Sequence, residues 1–231
     1  MQFVTKNSSL IDPNITHGNK KIANICNTKF LGLTLDNTLS WKTHIDTIIP
    51  KLSSASFAMR AVKPFLSQDS LRMVYYSYFH SIMTYGLIFW GNSHYSNIIF
   101  RLQKRIIRIV VGIRGRDSCR EHFKKLKILP LQSQYILSLL LFVINNRDYF
   151  MVNSEIHNIN TMTKSNLHRP ISNLSAYQKG TYYSGIKVFN SLPSQIKDLS
   201  HNRNQFKRAL KNFLYFHSLY TLDEYFSCNK N

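Results

Sequence analysis

The sequence predicts an α+β protein that is mainly α-helical, with a small N-terminal antiparallel β-sheet, a helical bundle and a small C-terminal helical subdomain. Short runs of β-prone residues bounded by turn residues occur only within about the first 40 positions. After them, apolar residues recur three and four positions apart over long stretches. Hydrophobic residues make up 44% and aromatic residues 13% of the 231 residues, which is enough to form a core.

Residues 1–39 are expected to form the sheet. Short strands are predicted at Gln2–Thr5 and Ile22–Ile25, and a third strand at Lys29–Asp36. Gly32, inside the third strand, marks a place where side-chain bulk is excluded. Because a two- or three-stranded sheet is only marginally stable by itself, its apolar face is expected to pack against helices.

Residues 40–150 are expected to form a helical domain. Ser40 is predicted to cap a first helix that Pro50 kinks, and a further helical segment, Ser53–Val62, follows it. Ser67 is predicted to cap the longest periodic run in the sequence. The apolar and aromatic positions of that run are Leu71, Val74, Tyr75, Tyr78, Phe79, Ile82 and Met83. We interpret these aromatic side chains as core packing, the alternative being stacking on nucleic-acid bases.

The stretch Ser96–Gly112 is strongly amphipathic. On a helical wheel its basic residues share one stripe and its apolar residues share the neighbouring stripe. The basic residues are Arg101, Lys104, Arg105 and Arg108, and the apolar residues are Ile98, Leu102, Ile106, Ile109 and Val110. Basic residues continue beyond the helix at Arg114, Arg116, Arg120, Lys124, Lys125 and Lys127, against only Asp117 and Glu121. Such a stripe is either a solvated helix face or a surface that binds a polyanion.

Helix boundaries in this region follow from capping residues. Gly112 is predicted to end the basic helix, and Ser118–Glu121 is predicted to be a capping box for a short helix through Lys127. Pro130 is expected near the start of the next helix.

Residues 151–176 are rich in Asn, Ser and Thr, have no period and are predicted to be a polar linker. Residues 177–231 are predicted to form the C-terminal helical subdomain. It contains a helix opening at Asn204 and a second capping box at Thr221–Glu224. Basic residues share one side of the first of these helices, namely Lys207, Arg208 and Lys211.

The formal net charge of +19 favours an anionic partner, either nucleic acid or an anionic membrane surface. We expect no membrane partner, because the longest apolar run, Ile136–Ile144, is too short to span a bilayer. The N-terminal residues do not form a secretory signal. Three widely separated cysteines, Cys26, Cys119 and Cys228, suggest no disulfide framework. We therefore expect an intracellular protein of the nucleus or cytoplasm.

The residues predict no catalytic or metal site and no cofactor. Metal-assisted phosphoryl transfer needs carboxylates that converge on cations, and the one adjacent acidic pair, Asp223 and Glu224, lies in a predicted cap. Cys119 and His122 have the spacing of zinc ligands but lack a second pair.

Several short motifs follow one another in a characteristic order. Lys29-Phe30-Leu31-Gly32 is followed by Asp36, Leu39, Trp41, His44 and Ile45, then by Tyr85-Gly86, Trp90-Gly91, Leu102-Gln103-Lys104-Arg105 and Ser118-Cys119-Arg120. Later members are Gly180, Tyr183, Gly185, Lys187, Phe189-Asn190, Leu192-Pro193, Phe206, Leu210 and Glu224-Tyr225-Phe226. In this order and spacing, nearly the whole chain resembles the part that follows the catalytic palm in reverse transcriptases of non-LTR (LINE-type) retrotransposons, especially jockey-like insect elements.

The resemblance implies a division of the chain into a palm remnant (1–39) and a helical thumb-like domain (40–150). The palm remnant would end in a primer-grip-like hairpin, with Lys29, Phe30, Leu31 and Gly32 near the primer end. The family's catalytic aspartate pair, its fingers and its endonuclease domain have no counterpart in this sequence. We therefore expect a C-terminal fragment of an RNA-directed DNA polymerase from a transposable element, without catalysis of its own. Mg²⁺ would be needed only by a complete parent polymerase.

The expected partners are RNA, DNA or an RNA–DNA hybrid, together with the missing palm and fingers part of the polymerase. Lysine and arginine are expected to contact the nucleic-acid backbone without reading its sequence. The candidate binding residues are Arg101, Lys104, Arg105, Arg108, Arg114, Arg116, Lys124 and Lys125.

Two other hypotheses are compatible with the sequence. The chain is a protein-interaction or assembly module if the aromatic residues between Tyr177 and Phe189 form an exposed apolar patch. It is a transposon relic without a biochemical role if it proves marginally stable and insoluble.

Overall fold

Two short β-hairpins precede a series of helices in the computed structural model, which describes residues 1–5, 14–157 and 165–228. Strands β1 (Thr16–His17) and β2 (Lys20–Lys21) form the first hairpin, and β3 (Asn27–Phe30) and β4 (Leu33–Asp36) form the second; both are antiparallel. The predicted fold class, mainly helical with a small amount of N-terminal antiparallel β-structure, is confirmed.

The predicted strand positions were partly wrong. Gln2–Thr5 and Ile22–Ile25 lie outside the strands, so there is no three-stranded sheet in the described residues. Lys29–Asp36 is not one strand but most of the second hairpin. Leu31 and Gly32 have φ angles of 44° and 76°, and two successive positive φ angles reverse the chain in a tight hairpin turn.

Helices dominate the chain from residue 42 onward. Up to residue 150 they are α1 (Lys42–Val62), α2 (Gln68–Val74), α3 (Ser81–Thr84), α4 (Leu87–Trp90), α5 (Ser96–Val111), α6 (Arg120–Leu126) and α7 (Leu131–Asn145). The later helices are α8 (Asn153–His157), α9 (Ser175–Lys179), α10 (Thr181–Asn190), α11 (Ser194–Lys197), α12 (Arg203–His217) and α13 (Leu222–Cys228). A π-helical segment, Tyr75–His80, joins α2 to α3.

Helix α1 is continuous, so the two segments predicted on either side of Pro50 form one helix. Ser40 is not its N-cap. Trp41 occupies that position with φ 65°, and the side chain that serves the junction is Asp36 at the end of β4. The Asp36 carboxylate accepts hydrogen bonds from the N–H groups of Ser40 (2.9 Å) and Trp41 (2.8 Å), which ties the hairpin to the helix.

Other predicted caps were right in part. Ser67 caps α2 by accepting from Ser70 N–H at 3.2 Å, and Gly112 ends α5 with φ 80°. The capping box predicted at Ser118–Glu121 does not form, because Cys119 is the N-cap and makes no side-chain capping bond. Glu121 instead pairs with Lys124 at 3.1 Å.

The C-terminal caps lie close to their predicted positions. Thr221 accepts from Glu224 N–H at 3.1 Å, as expected of a capping box. Helix α12 begins one residue before Asn204, and its cap is Asn202, which accepts from Gln205 N–H at 3.2 Å.

One hydrophobic core contains side chains from every α-helix of the described chain except α8 and α9. Helix α7 is apolar on nearly all sides because it lies between neighbours, packing against α10 and α12 as well as α4 and α5. Its Ser133 hydroxyl donates to the Leu219 carbonyl and accepts from the Leu219 N–H, which joins residues 86 positions apart. The interpretation of the long periodic run as core is confirmed for Leu71, Tyr75, Phe79 and Met83, all at most 2% exposed. It was wrong for Tyr78, which is 42% exposed because it lies on the outer side of the helix.

The segment predicted to be a polar linker is partly ordered against the core. Leu167 is buried and exchanges two 2.8 Å hydrogen bonds with the Asn190 side chain. It also forms a β-bridge with Val152. Residues 158–164 of the predicted linker lie outside the described residues.

In the described ranges, no single helix is both long and apolar enough to cross a membrane. By length and composition alone, the pair α6 and α7 passes that test together, although the two helices are bent by 51° where they meet.

Candidate nucleic-acid interface

Helix α5 has one buried face and one basic face. The buried residues are Ser96, Ile99, Phe100, Gln103, Ile106, Ile107 and Val110. The apolar stripe predicted from the sequence is therefore rotated from the true buried face. Ile106 and Val110 are buried, but Ile98, Leu102 and Ile109 lie at the edge and are only partly buried.

Gln103 fixes the orientation of this helix. Its Nε2 donates to the Tyr75 hydroxyl and to the Leu129 carbonyl, both at 2.9 Å, and its Oε1 accepts from Leu131 N–H at 2.8 Å. Burial of this polar side chain costs little because its amide has partners on both its nitrogen and its oxygen. These hydrogen bonds connect α5 to the π-helical segment and to the start of α7. They therefore fix the orientation of the basic face relative to the rest of the helical domain.

Five of the predicted binding residues are exposed cations, located on the basic face of α5 or in the segment that follows this helix. They are Arg101 and Arg105 on α5, Arg114 and Arg116 in the following loop, and Lys125 on α6. Within the part of the chain that the structure describes, none of the five is in a salt bridge. We call this set the exposed basic face. Surface cations without salt-bridge partners favour phosphate binding with counterion release.

The other three predicted binding residues have partners within the protein. The Lys104 ammonium lies 4.7 Å from the centre of the Phe100 ring, a cation–π contact. The Arg108 guanidinium donates to the Asp117 carbonyl from Nε (3.2 Å) and Nη2 (3.0 Å). Lys124 pairs with Glu121. These three add to the positive field, but they also have structural roles that the sequence did not reveal.

Asp117 organises the loop between α5 and α6. Its carbonyl accepts from Arg108, and its carboxylate Oδ2 accepts from the N–H of Arg114 at 3.0 Å. Together with the positive φ of Gly112, these bonds close the loop that carries Arg114 and Arg116. From the sequence, Asp117 was expected to act only as an opposing charge, and this role in closing the loop was not predicted.

The β3–β4 hairpin, predicted to be primer-grip-like, has exposed side chains at its tip, while the backbone of its turn contacts the helical domain. Lys29, Phe30 and Leu31 are exposed, the last at 75%. The Tyr85 hydroxyl donates to the Leu31 carbonyl at 2.6 Å, and a Cβ added to Gly32 would lie 3.1 Å from the Tyr85 ring. The expectation that side-chain bulk is excluded at Gly32 is therefore confirmed. The hairpin is fixed by its turn, and the apolar side chains at its tip point to no partner within the described chain.

The aromatic patch considered for protein interaction is smaller than the sequence suggested. Tyr177 and Tyr182 are exposed, but Phe189 is only 4% exposed and belongs to the core. Tyr182 is stacked on Phe150 with ring centres 5.0 Å apart.

No group of three or more His, Cys, Asp or Glu residues within the described ranges could hold a metal ion. Cys119, which has zinc-ligand spacing to His122, is buried, and its thiol is directed at the Lys104 carbonyl, with Sγ 3.7 Å from the oxygen. Burial raises the pKa of this thiol, which disfavours the thiolate that a metal would need.

By fold and surface, the chain is a mainly helical α+β protein with an exposed basic face. Comparison with protein-family models, with curated proteins and with solved structures gave no match.

Proposed function

We propose that this chain binds the sugar–phosphate backbone of RNA-containing duplexes through the exposed basic face, as the thumb-like C-terminal fragment of a non-LTR retrotransposon reverse transcriptase. The observation that carries the proposal is the presence of five exposed cations without salt-bridge partners among the described residues, on and directly after a helix whose orientation buried hydrogen bonds fix. A net charge of +19 adds a long-range field that steers polyanions toward the chain.

Binding of this kind positions a duplex and does not read its sequence, because arginine and lysine contact phosphates without distinguishing bases. The β3–β4 hairpin would lie toward the primer end, with Lys29 and Phe30 exposed at its tip. Catalysis would belong to a complete polymerase that supplies the palm, the fingers and Mg²⁺. The fragment would work in the nucleus or cytoplasm, where RNA–DNA hybrids form.

The test is fluorescence anisotropy of a labelled RNA–DNA hybrid titrated with the chain across a salt series. The informative variant is Arg101→Glu/Arg105→Glu, because these two arginines are exposed and make no salt bridge in the described chain. The matched control is Arg203→Glu/Arg208→Glu, which makes the same charge change at two exposed arginines of α12. Lys104 and Arg108 are unsuitable for reversal because their side chains have structural partners.

We expect the Arg101/Arg105 variant to bind at least tenfold more weakly and to lose about 0.9 in the slope of log affinity against log salt for each lost phosphate contact. The control should retain most of its affinity. Equal losses in the two variants would mean that only the net charge matters, and the proposed interface would be wrong. A parallel primer-extension assay with Mg²⁺ should show no synthesis; extension would contradict the assignment of catalysis to a missing palm.

A role in assembly is the second candidate. It is favoured by large apolar side chains that follow one another on the surface after residue 170, namely Ile171 (100% exposed), Leu174 (49%), Tyr177 (42%) and Tyr182 (38%). Self-association that is insensitive to salt, measured by sedimentation and abolished by Ile171→Asp/Tyr177→Asp, would support it. A monomer at all concentrations would exclude self-assembly through this patch.

A further inference from the structure

A second group of basic residues lines a cleft between α7, α12 and the continuous helix formed by α2 and the π-helical segment. None of these lining residues belongs to α5. The cleft has a volume of about 420 Å³, within the range of small-molecule sites. The polar lining residues that matter are Arg72, Tyr76, His80, Lys207, Lys211 and Tyr215.

The charge of the cleft is one-sided. Arg72, Lys207 and Lys211 are cations at neutral pH, and the described residues of the lining include no carboxylate. None of the three is in a salt bridge within the described part of the chain. Three cations facing one small volume repel one another, and a bound anion would remove that repulsion.

The cations of the cleft affect the pKa values of two neighbouring side chains, His80 and Tyr215. Burial lowers the pKa of His80, and the charge of Lys211 lowers it further, although the Gln134 side chain opposes the shift. Burial likewise raises the pKa of Tyr215, and the nearby guanidinium of Arg72 opposes that rise. The cations therefore act on the groups at the cleft and not only on bulk solvent.

Arg72 supplies a separate observation. Its guanidinium carbon lies 5.5 Å from the centre of the Tyr76 ring, and its Nε is buried and has no hydrogen-bond partner among the described residues. Tyr76 is itself fixed, because its hydroxyl donates to the Lys127 carbonyl at 2.9 Å. Because the planar guanidinium group binds phosphate oxygens through paired hydrogen bonds, Arg72 as a lining residue suits an anionic ligand in the cleft.

We propose that this cleft binds a small polyphosphate anion, such as pyrophosphate or the phosphate chain of a nucleotide, with Arg72, Lys207 and Lys211 as its cationic ligands. Three cations suit a group that carries three or four negative charges better than a singly charged anion. The site shares no residue with the exposed basic face, and the proposal stands independently of duplex binding.

The test is isothermal titration calorimetry of the full chain with pyrophosphate, ATP and adenosine. The variant is Lys207→Gln/Lys211→Gln. The matched control is Arg203→Gln/Arg208→Gln, which removes the same charge from the same helix at residues that do not line the cleft. Thermal melting of each variant shows whether it is folded; Lys207 is exposed and Lys211 partly exposed, so neither change disturbs the core.

We expect pyrophosphate and ATP to bind with a 1:1 stoichiometry and adenosine not to bind. Affinity for pyrophosphate should fall at least tenfold in the Lys207/Lys211 variant and less than twofold in the control. Tighter binding of ATP than of pyrophosphate would identify a nucleotide as the ligand, and equal binding would identify the phosphate chain; either result supports the cleft.

Three results would overturn the proposal: no saturable binding of pyrophosphate or ATP, equal losses in the variant and its control, or binding of adenosine as tight as that of ATP. Binding by the variant of the exposed basic face distinguishes this site from the duplex interface. The Arg101→Glu/Arg105→Glu variant should lose hybrid binding and keep the cleft's affinity for pyrophosphate. Loss of pyrophosphate binding in that variant would place the anion on the exposed basic face instead.

Discussion

The side-chain amide of Gln103 donates a hydrogen bond to the Tyr75 hydroxyl at 2.9 Å, and neither side chain is accessible to solvent. Burial raises the pKa of Tyr75, so its hydroxyl stays protonated at neutral pH. The bond therefore joins two neutral groups, and the amide that makes it also binds both Leu129 and Leu131. The direction of the exposed basic face depends on this buried amide.

Replacing Gln103 with Leu should lower the free energy of unfolding by about 2–4 kcal/mol, because the Leu131 N–H and the Leu129 carbonyl would remain buried without partners. Urea unfolding followed by circular dichroism measures the change. Gln195→Leu, at an exposed position of α11, is the control and should cost less than about 0.5 kcal/mol. A Gln103→Leu protein as stable as the wild type would show that the buried network contributes nothing.

Asp36→Asn should destabilise the chain at neutral pH and much less at acid pH. Burial alone would raise the pKa of Asp36, but hydrogen bonds from Thr38, Ser40 and Trp41 outweigh it, and the net shift is below the ordinary value of 3.8. A group whose folded pKa is lowered contributes stability above its unfolded pKa and loses it as the pH falls through the folded pKa.

The expected difference between wild type and Asp36→Asn is therefore about 1–3 kcal/mol at pH 7, shrinking below pH 4. Unfolding by urea at pH 7, 5 and 3 measures it. Asp46→Asn, at an exposed position of α1, should show little difference at any of these values. A difference that grows as the pH falls would contradict the sign of the shift.

Gly86→Ala should be strongly destabilising. Gly86 has φ 61°, and an added Cβ would lie 2.6 Å from Leu33 Cδ2, in the side chain that the hairpin buries against the helices. Strain and steric overlap together should cost about 2–3 kcal/mol. Gly115→Ala is the matched control, since a Cβ there meets nothing within 4 Å and should change the melting temperature little. Equal effects of the two substitutions would refute this account of the hairpin contact.

The ion pair between Arg120 and Glu224, 2.8 Å apart, joins α6 to α13 and should show a small, salt-sensitive coupling. Burial raises the pKa of Glu224, but bonds from the Arg120 side chain and the Tyr220 N–H outweigh it and lower the pKa. Both side chains are about one-third exposed, so we expect a coupling of at most about 1 kcal/mol at low salt.

A double-mutant cycle with Arg120→Gln and Glu224→Gln, repeated in 1 M salt, measures this coupling and should give a smaller value at high salt. The Glu121–Lys124 pair, with Glu121 68% exposed, is the reference and should couple more weakly. Identical coupling of the first pair at both salt concentrations would mean that the contact is not mainly ionic.

Periodicity predicted the longer helices of the fold but not the short helix α8, which lies in the predicted linker, or the π-helical segment. The run Leu71–Met83 places an apolar or aromatic side chain at every fourth position, and packing follows this pattern directly. The residue pattern alone predicted one strand at Lys29–Asp36, and only the family resemblance implied a hairpin there, because Leu31 adopts a positive φ that its residue type rarely takes. A bond from Tyr85, more than 50 positions away, secures that turn, and no local pattern contains this information.

The candidate site was predictable to a similar degree. The exposure of Arg101 and Arg105 follows from the helical wheel, but the partners of Lys104 and Arg108 depend on ring placement and on how the loop closes at Asp117. The structural role of Gln103 was not predicted, because its hydrogen-bond partners lie 26 and 28 positions away. The grouping of Lys207 and Lys211 was visible on one helix, whereas their meeting with Arg72 required tertiary structure.

The pair formed by Ser133 and Leu219 also sets an order of events during synthesis. Translation adds about 5–20 residues per second, so Leu219 is made roughly 4–17 s after Ser133, 86 positions earlier. For most of that interval α7, the most apolar helix of the bundle, has neither the hydrogen-bond partner nor the α12 surface that later cover it. On a translating ribosome, the apolar side of α7 that packs against α12 therefore stays uncovered until α12 has been made.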